Sequence, residues 1–260
     1  MATHEAGAIE YSGHKVIGLP QCEGKIKAQT VEDYIVGFYK DENHEHEVFP
    51  GIVYISYPTE YGTLYTKEEL TDLHSVCTKY GMPLYIDGAR LAYGLASDAC
   101  DVTLQEFASL CDVFYIGGTK CGALLGEAVV FTKGNRPLHF MNAVKKRGAL
   151  LAKGRLLGIQ FETLFSDAES DCTLYHDIGC YAIRMAERME QIIRDKGYEF
   201  YLDTPTNQKF VIMTDEQLER IKGKIEYGFW EKPDQKHTVI CLATSWSTTD
   251  EVLDKLAEAL

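Results

Sequence analysis

The 260-residue sequence has no uninterrupted apolar run of the ~20 residues needed to cross a bilayer. Its start, "MATHEAGAIEYSGHKV", lacks the basic end and apolar block of a secretory signal, so a cytoplasmic protein is expected. Positive charge is scarce: 26 Lys and Arg stand against 39 Asp and Glu, a formal net charge of -13. Such a surface repels polyanions, which argues against nucleic acid and against a membrane surface as partners. The eight cysteines contain no C-x-x-C pair. Scattered singly, they are expected as small, reduced residues, mostly in the core. "HEH" at 44–46 lacks a third ligand at fixed spacing, so no metal site is expected. Internal repeats and low-complexity stretches are also missing.

What is present is ample core material, 45% hydrophobic residues, and length for one large domain or two smaller ones. Four short runs rich in β-branched and aromatic residues are bounded by Gly, Pro or a charge: "GIVYIS" (51–56), "MPLYID" (82–87), "DVFYIG" (112–117) and "EAVVFT" (127–132). They predict buried strands. Between the first two, Thr66 and Glu69 form a capping-box pattern. Leu70, Leu73 and Val76 follow at helical spacing, and Gly81 closes the helix. A second helix is predicted over 103–111. Strand and helix alternating in this way describe a mostly parallel α/β sheet.

Beyond residue 145 the texture changes. "RGALLAKGRLLGIQFETLF" predicts an apolar segment of helix length, buried on more than one side. "GCYAIRMAERMEQIIRDKG" predicts a long amphipathic helix with Ala182, Met185, Ala186, Met189 and Ile193 on one face. "YEFYLD", "KFVIMT" and "HTVICLA" predict strands, with helices opened by "TDEQ" and "TTDE". The expected organisation is a large α/β domain over 1–170 and a small C-terminal α+β domain over 171–260.

Three stretches fall at or just beyond the C-terminal ends of predicted strands, where open α/β sheets bind ligands: "SYPTEYGT" (56–63), "DGAR" (87–90) and "GGTKCGALLGE" (117–127). Each alone is weak, because a strand-end Asp is often a helix cap and a loop Lys often solvated. Together they match the needs of pyridoxal 5'-phosphate: an amine to attach its aldehyde, a carboxylate against its ring nitrogen, and donors for its phosphate. Lys120 supplies the amine and Asp87 the carboxylate. Gly117 and Gly118 let backbone approach the cofactor, and Thr119 offers a hydroxyl and an N–H to the phosphate. Arg90 can pair with the phenolic oxygen or a substrate carboxylate.

These blocks, with "HEAGAIEYSGHKV", "KKRGALLAKGRLLGIQFETLF" and "TSWSTT", resemble the threonine aldolase and aromatic amino acid β-eliminating lyase family, in its low-specificity L-threonine aldolase-like branch. The resemblance implies a pyridoxal phosphate-dependent transferase fold (fold type I) in a homodimer or homotetramer. The implied reaction is retro-aldol cleavage of a β-hydroxy-α-amino acid, such as L-threonine or L-allo-threonine, to glycine and an aldehyde. Lys120, Asp87 and Arg90 carry over as catalytic residues; Gly118 and Thr119 are expected as cofactor contacts from the loop itself, and Thr59 as a substrate contact. Members often have a histidine near the position of Glu60, which makes Glu60, or water that it orients, the base for the β-hydroxyl.

Two departures from the family pattern stand out. The segment that in the family supplies a glycine-rich phosphate loop and a ring-stacking histidine precedes the match to "THEAGAIE", leaving His4 as the nearest substitute. In the strand before "TSW", Cys241 stands where the family brings an arginine to the substrate carboxylate; Arg147 or Lys153 would have to compensate. The alternatives are β-elimination from an aromatic or sulfur amino acid, and a catalytically incomplete paralogue acting as an oligomerisation or binding module.

Overall fold

The computed structural model describes residues 5–166 and 173–260; His4 lies outside them. A short helix α1 (Ala8–Tyr11) and helix α2 (Ala28–Lys40) lead to strand β1 (Val53–Ser56). Then come α3 (Lys67–Lys79), β2 (Leu84–Asp87), α4 (Leu91–Leu95), α5 (Leu104–Ser109), β3 (Val113–Gly117) and β4 (Glu127–Phe131). The sheet order is β1-β2-β3-β4. The first three strands are parallel and β4 returns antiparallel to β3.

The strands form where alternation predicts them, within two residues at each end. Val53, Ile55, Leu84, Ile86 and Phe114 point to one face and bury against Leu70, Leu73 and Cys77 of α3 and Phe107 of α5. Both helices start on a full capping box. Thr66 Oγ1 accepts from the Glu69 amide at 3.2 Å while Glu69 Oε2 accepts from the Thr66 amide at 2.8 Å. Thr103 and Glu106 repeat the arrangement, which satisfies amides that a helix start leaves without partners.

The second half contains α6 (Phe140–Lys146), α7 (Arg155–Phe165), α8 (Leu174–Asp195), β5 (Glu199–Leu202), β6 (Gln208–Thr214), α9 (Asp215–Ile221), β7 (Gly228–Glu231), β8 (His237–Ala243) and α10 (Asp250–Ala259). Its antiparallel sheet, ordered β5-β6-β8-β7, buries Val211, Met213, Ile240 and Leu242 against Met185, Met189 and Ile193 of α8 and Leu253 and Leu256 of α10. Helix α8 begins at Leu174, earlier than the apolar stripe predicts, because Thr173 caps it by accepting from the His176 amide. It belongs to both halves: a Cβ on Gly179 would lie 2.5 Å from Ala92 O, and the Ala92 amide donates to Tyr175 Oη. The expected boundary at 170 and 171 lies outside the described residues.

Two expectations need correction. The 147–165 segment is not buried on more than one side: the helix starts only at Arg155, and Leu164 is its only buried residue. Leu150, Leu151, Leu156 and Ile159 stand in the open, since no described element packs over them. The cysteines divide: Cys77, Cys111 and Cys121 are core residues, whereas Cys22 and Cys180 lie on the surface.

Candidate active site

Ser56, Asp87 and Gly117 end the three parallel strands side by side, with Ser56 paired to Asp87. Asp87 is half-buried and held on both oxygens. Oδ1 accepts from the Ala89 amide at 3.0 Å and Oδ2 from the hydroxyl of Tyr54. Tyr115 makes a further side-chain hydrogen bond to it. Tyr54 and Tyr85 stack at 5.2 Å, with Tyr115 tilted 6.4 Å from Tyr85. Burial, then the hydrogen bond to Asp87, pushes the phenols of Tyr54 and Tyr115 well up. Burial and the Asp87 charge push Tyr85 up to about 12. All three therefore stay protonated at neutral pH, and Tyr54 and Tyr115 remain donors to the carboxylate.

The loop after β3 carries Lys120 in a tight turn, Thr119–Cys121, closed by Gly122 in the left-handed region at φ 94°. The Lys120 side chain is exposed, while its carbonyl accepts from the Tyr93 hydroxyl. Gly117 and Gly118 make their close approaches within the chain. A Cβ on Gly117 would lie 2.3 Å from Ala89 O, and one on Gly118 2.5 Å from Gly126 O. Of the phosphate donors expected here, the Thr119 hydroxyl already has a partner, donating to Glu127 Oε1 at 3.1 Å, and the neighbouring Gly118 N–H donates to Oε2 at 2.5 Å. A phosphate at this point would meet the Glu127 carboxylate.

Opposite lies the 57–63 loop. Thr59 is 2% exposed, its hydroxyl bonded to that of Thr63 at 2.7 Å, so its role is to shape the turn. Glu60 is exposed. Tyr61 packs on Phe210 and Trp230, bringing the loop onto the antiparallel sheet of the second half. There Cys241 on β8 receives a hydrogen bond from Gln208 Nε2 at 3.5 Å. Burial pushes the Cys241 thiol up, and the charges of Arg90 and Glu60 both reach it. Arg90, at the N-cap of α4, Glu60 and Cys241 thus form one neighbourhood. Arg147 and Lys153 flank the α6–α7 turn and are exposed.

The architecture has close counterparts. Residues 1–220 match the family described as Beta-eliminating lyase. The chain belongs to that family. A threonine aldolase structure from Leishmania major superposes with a TM-score of 0.90 at 36% identity, over 98% of this chain and 72% of that one. The low specificity L-threonine aldolases of a Pseudomonas sp. and of Pseudomonas aeruginosa are each 28% identical over 85% of this chain. The chain spans 62% of the length of these two curated relatives.

In this beta-eliminating lyase family member, four residues around the site escape a reading by motif: Tyr54, Tyr115, Glu127 and Gln208. A signal for the tyrosines does exist. "VYIS", "LYID" and "FYIG" each place a tyrosine two residues before the strand end, so the period of two sets them on the Asp87 face. Glu127 and Gln208 carry no such signal, because each meets the site only through strand pairing.

Proposed function

We propose that this chain is a pyridoxal 5'-phosphate-dependent carbon–carbon lyase, cleaving a β-hydroxy-α-amino acid to glycine and an aldehyde. The observation that carries the reading is Asp87 at the end of β2, held on both oxygens, with the Lys120 amine on the loop that follows the adjacent parallel strand. The donor set fits the ring and aldehyde ends of the cofactor: a fixed carboxylate for a pyridinium nitrogen and an exposed primary amine. The phosphate end requires donors other than the Gly118 N–H and the Thr119 hydroxyl as they stand, since Glu127 engages both.

In this reading Lys120 provides the attachment point, and Asp87 keeps a proton on the ring nitrogen while Tyr54 and Tyr115 hold the carboxylate in place. When bound, the cofactor supplies an electron sink for the pair released at Cα. Arg90 orients the substrate carboxylate through charge-assisted hydrogen bonds. Glu60, directly or through water, takes the proton of the β-hydroxyl as the Cα–Cβ bond breaks. In this reading the protein works in the cytoplasm, as a homodimer or homotetramer; the exposed leucines and isoleucine of 150–159 support the assembly. Two separate sheets support a cofactor-binding unit over 1–170 and a small unit over 171–260.

The test is direct. With pyridoxal phosphate added, the purified chain is expected to gain the visible absorption of lysine-linked cofactor, and Lys120→Ala to lose it. L-threonine is then expected to yield glycine and acetaldehyde. Pyruvate from an aromatic or sulfur amino acid, with threonine untouched, moves the assignment to β-elimination. No absorption change in the full chain leaves an incomplete paralogue.

A further inference from the structure

One polar group facing this site lacks its hydrogen bond. Gln208 is 4% exposed; its Nε2 donates to Cys241 Sγ at 3.5 Å, while its Oε1 is buried without a partner. Pairing of Phe210 with Cys241 and of Gln208 with Ala243 makes Gln208 and Cys241 diagonal neighbours on one face of the sheet. That face looks toward the loop of Glu60, because Phe210 on it packs against Tyr61 at 6.2 Å. A buried amide oxygen with no donor is rare in a folded protein and calls for an explanation. Asn207 Oδ1 is the other such atom among the described residues, but Asn207 Nδ2 donates at 2.6 Å to the carbonyl of Thr244, whose own hydroxyl anchors on α8.

We propose that Gln208 is a specificity-determining residue whose Oε1 accepts a hydrogen bond from the β-hydroxyl of the amino-acid substrate. The inference rests on the function proposed above and names the group recognised at that site. It follows from the chemistry of the ligand. An ionised carboxylate offers only acceptors and cannot satisfy an acceptor. The amine is committed to the cofactor. The hydroxyl is the donor that remains: its O–H donates a hydrogen bond to Gln208 Oε1 on binding, and its one proton leaves that contact for the base on cleavage. Cys241 completes the arrangement, since its sulfur takes the Gln208 N–H and turns the amide oxygen free.

L-threonine and L-2-aminobutyrate differ only in the β-hydroxyl, so their binding ratio isolates this contact. Calorimetric titration of the full chain, with and without pyridoxal phosphate, is expected to show threonine bound roughly tenfold more tightly, the worth of about one hydrogen bond. Gln208→Leu is expected to bring the ratio near one, and Gln208→Glu, which keeps an acceptor, to preserve the preference. Cys241→Arg sets a guanidinium beside Oε1 and is expected to abolish it, so the test survives if Gln208→Leu fails to fold. A ratio near one in the unsubstituted chain, a ratio unmoved by Gln208→Leu or Cys241→Arg, or no binding of either amino acid overturns the inference. Cofactor uptake is scored separately by its Lys120-dependent absorption. A Gln208-dependent ratio in a chain that takes up no cofactor would sink the lyase reading and leave the Gln208 contact standing.

Discussion

Helices α7 and α8 both read as apolar in sequence, yet they end in opposite environments. Helix α8 buries Tyr175, Gly179, Ala182, Ile183, Met185, Ala186, Met189 and Ile193 against α4 and the second sheet. Helix α7 buries Leu164 and leaves Leu156 at 61% and Ile159 at 53% exposure. Their starts differ too: Thr173 caps α8 through its side chain, whereas Gly154 offers α7 none. An apolar stripe thus states that a face needs covering and does not state what covers it. For α8 the cover lies within the chain, on β6 and β8. For α7 no described element supplies it, and a second subunit is the cover proposed above.

An isoleucine cut to alanine on each helix separates the two environments. Ile193 is fully buried, so Ile193→Ala is expected to lower unfolding free energy by about 2–5 kcal/mol, read by chemical denaturation. A loss under about 1 kcal/mol would mean that α8 is not the joint between its neighbours. Next in size is the cap. Thr173→Ala removes the acceptor for the His176 amide and is expected to cost about 1 kcal/mol. Thr173→Asn, another good cap, should recover most of it. If the alanine variant melts like the parent, the start of α8 is held by packing and the contrast between the two N-termini loses its meaning.

The α8 half of this contrast was legible from sequence: its stripe repeats at helical spacing and its partners are strands of the same chain. The parallel strands and the capping box of Thr66 and Glu69 were equally readable, because alternation and the Thr-x-x-Glu pattern act over a few residues. The environment of Asp87 was legible in part. Its place at a strand end follows from "YIDGAR", but its tyrosine donors sit on β1 and β3, and pairing register is a tertiary property. Glu127 shows the limit more sharply. Reading "GGTK" as a donor loop treats its N–H and hydroxyl as free, while the antiparallel return of β4 pairs Glu127 with Gly117 and delivers a carboxylate to both. Gln208 needs the second sheet in place before its neighbour across the strands, Cys241, can be known.

The smallest expected change in stability decides the most about α7. Ile159→Ala, measured at concentrations where the chain is monomeric, is expected to shift unfolding free energy by no more than about 0.5 kcal/mol, the usual range for an exposed position. The same side chain should matter once subunits meet, because apolar area withdrawn from water stabilises an interface just as it does a core. Replacing Leu156 and Ile159 together by Asp is therefore expected to leave the far-ultraviolet spectrum unchanged while sedimentation velocity shows the assembly lost. If instead Ile159→Ala costs the separated chain as much as Ile193→Ala does, the α7 face is covered within the chain. The two helices would then differ only in capping, and the exposed leucines would no longer argue for a partner.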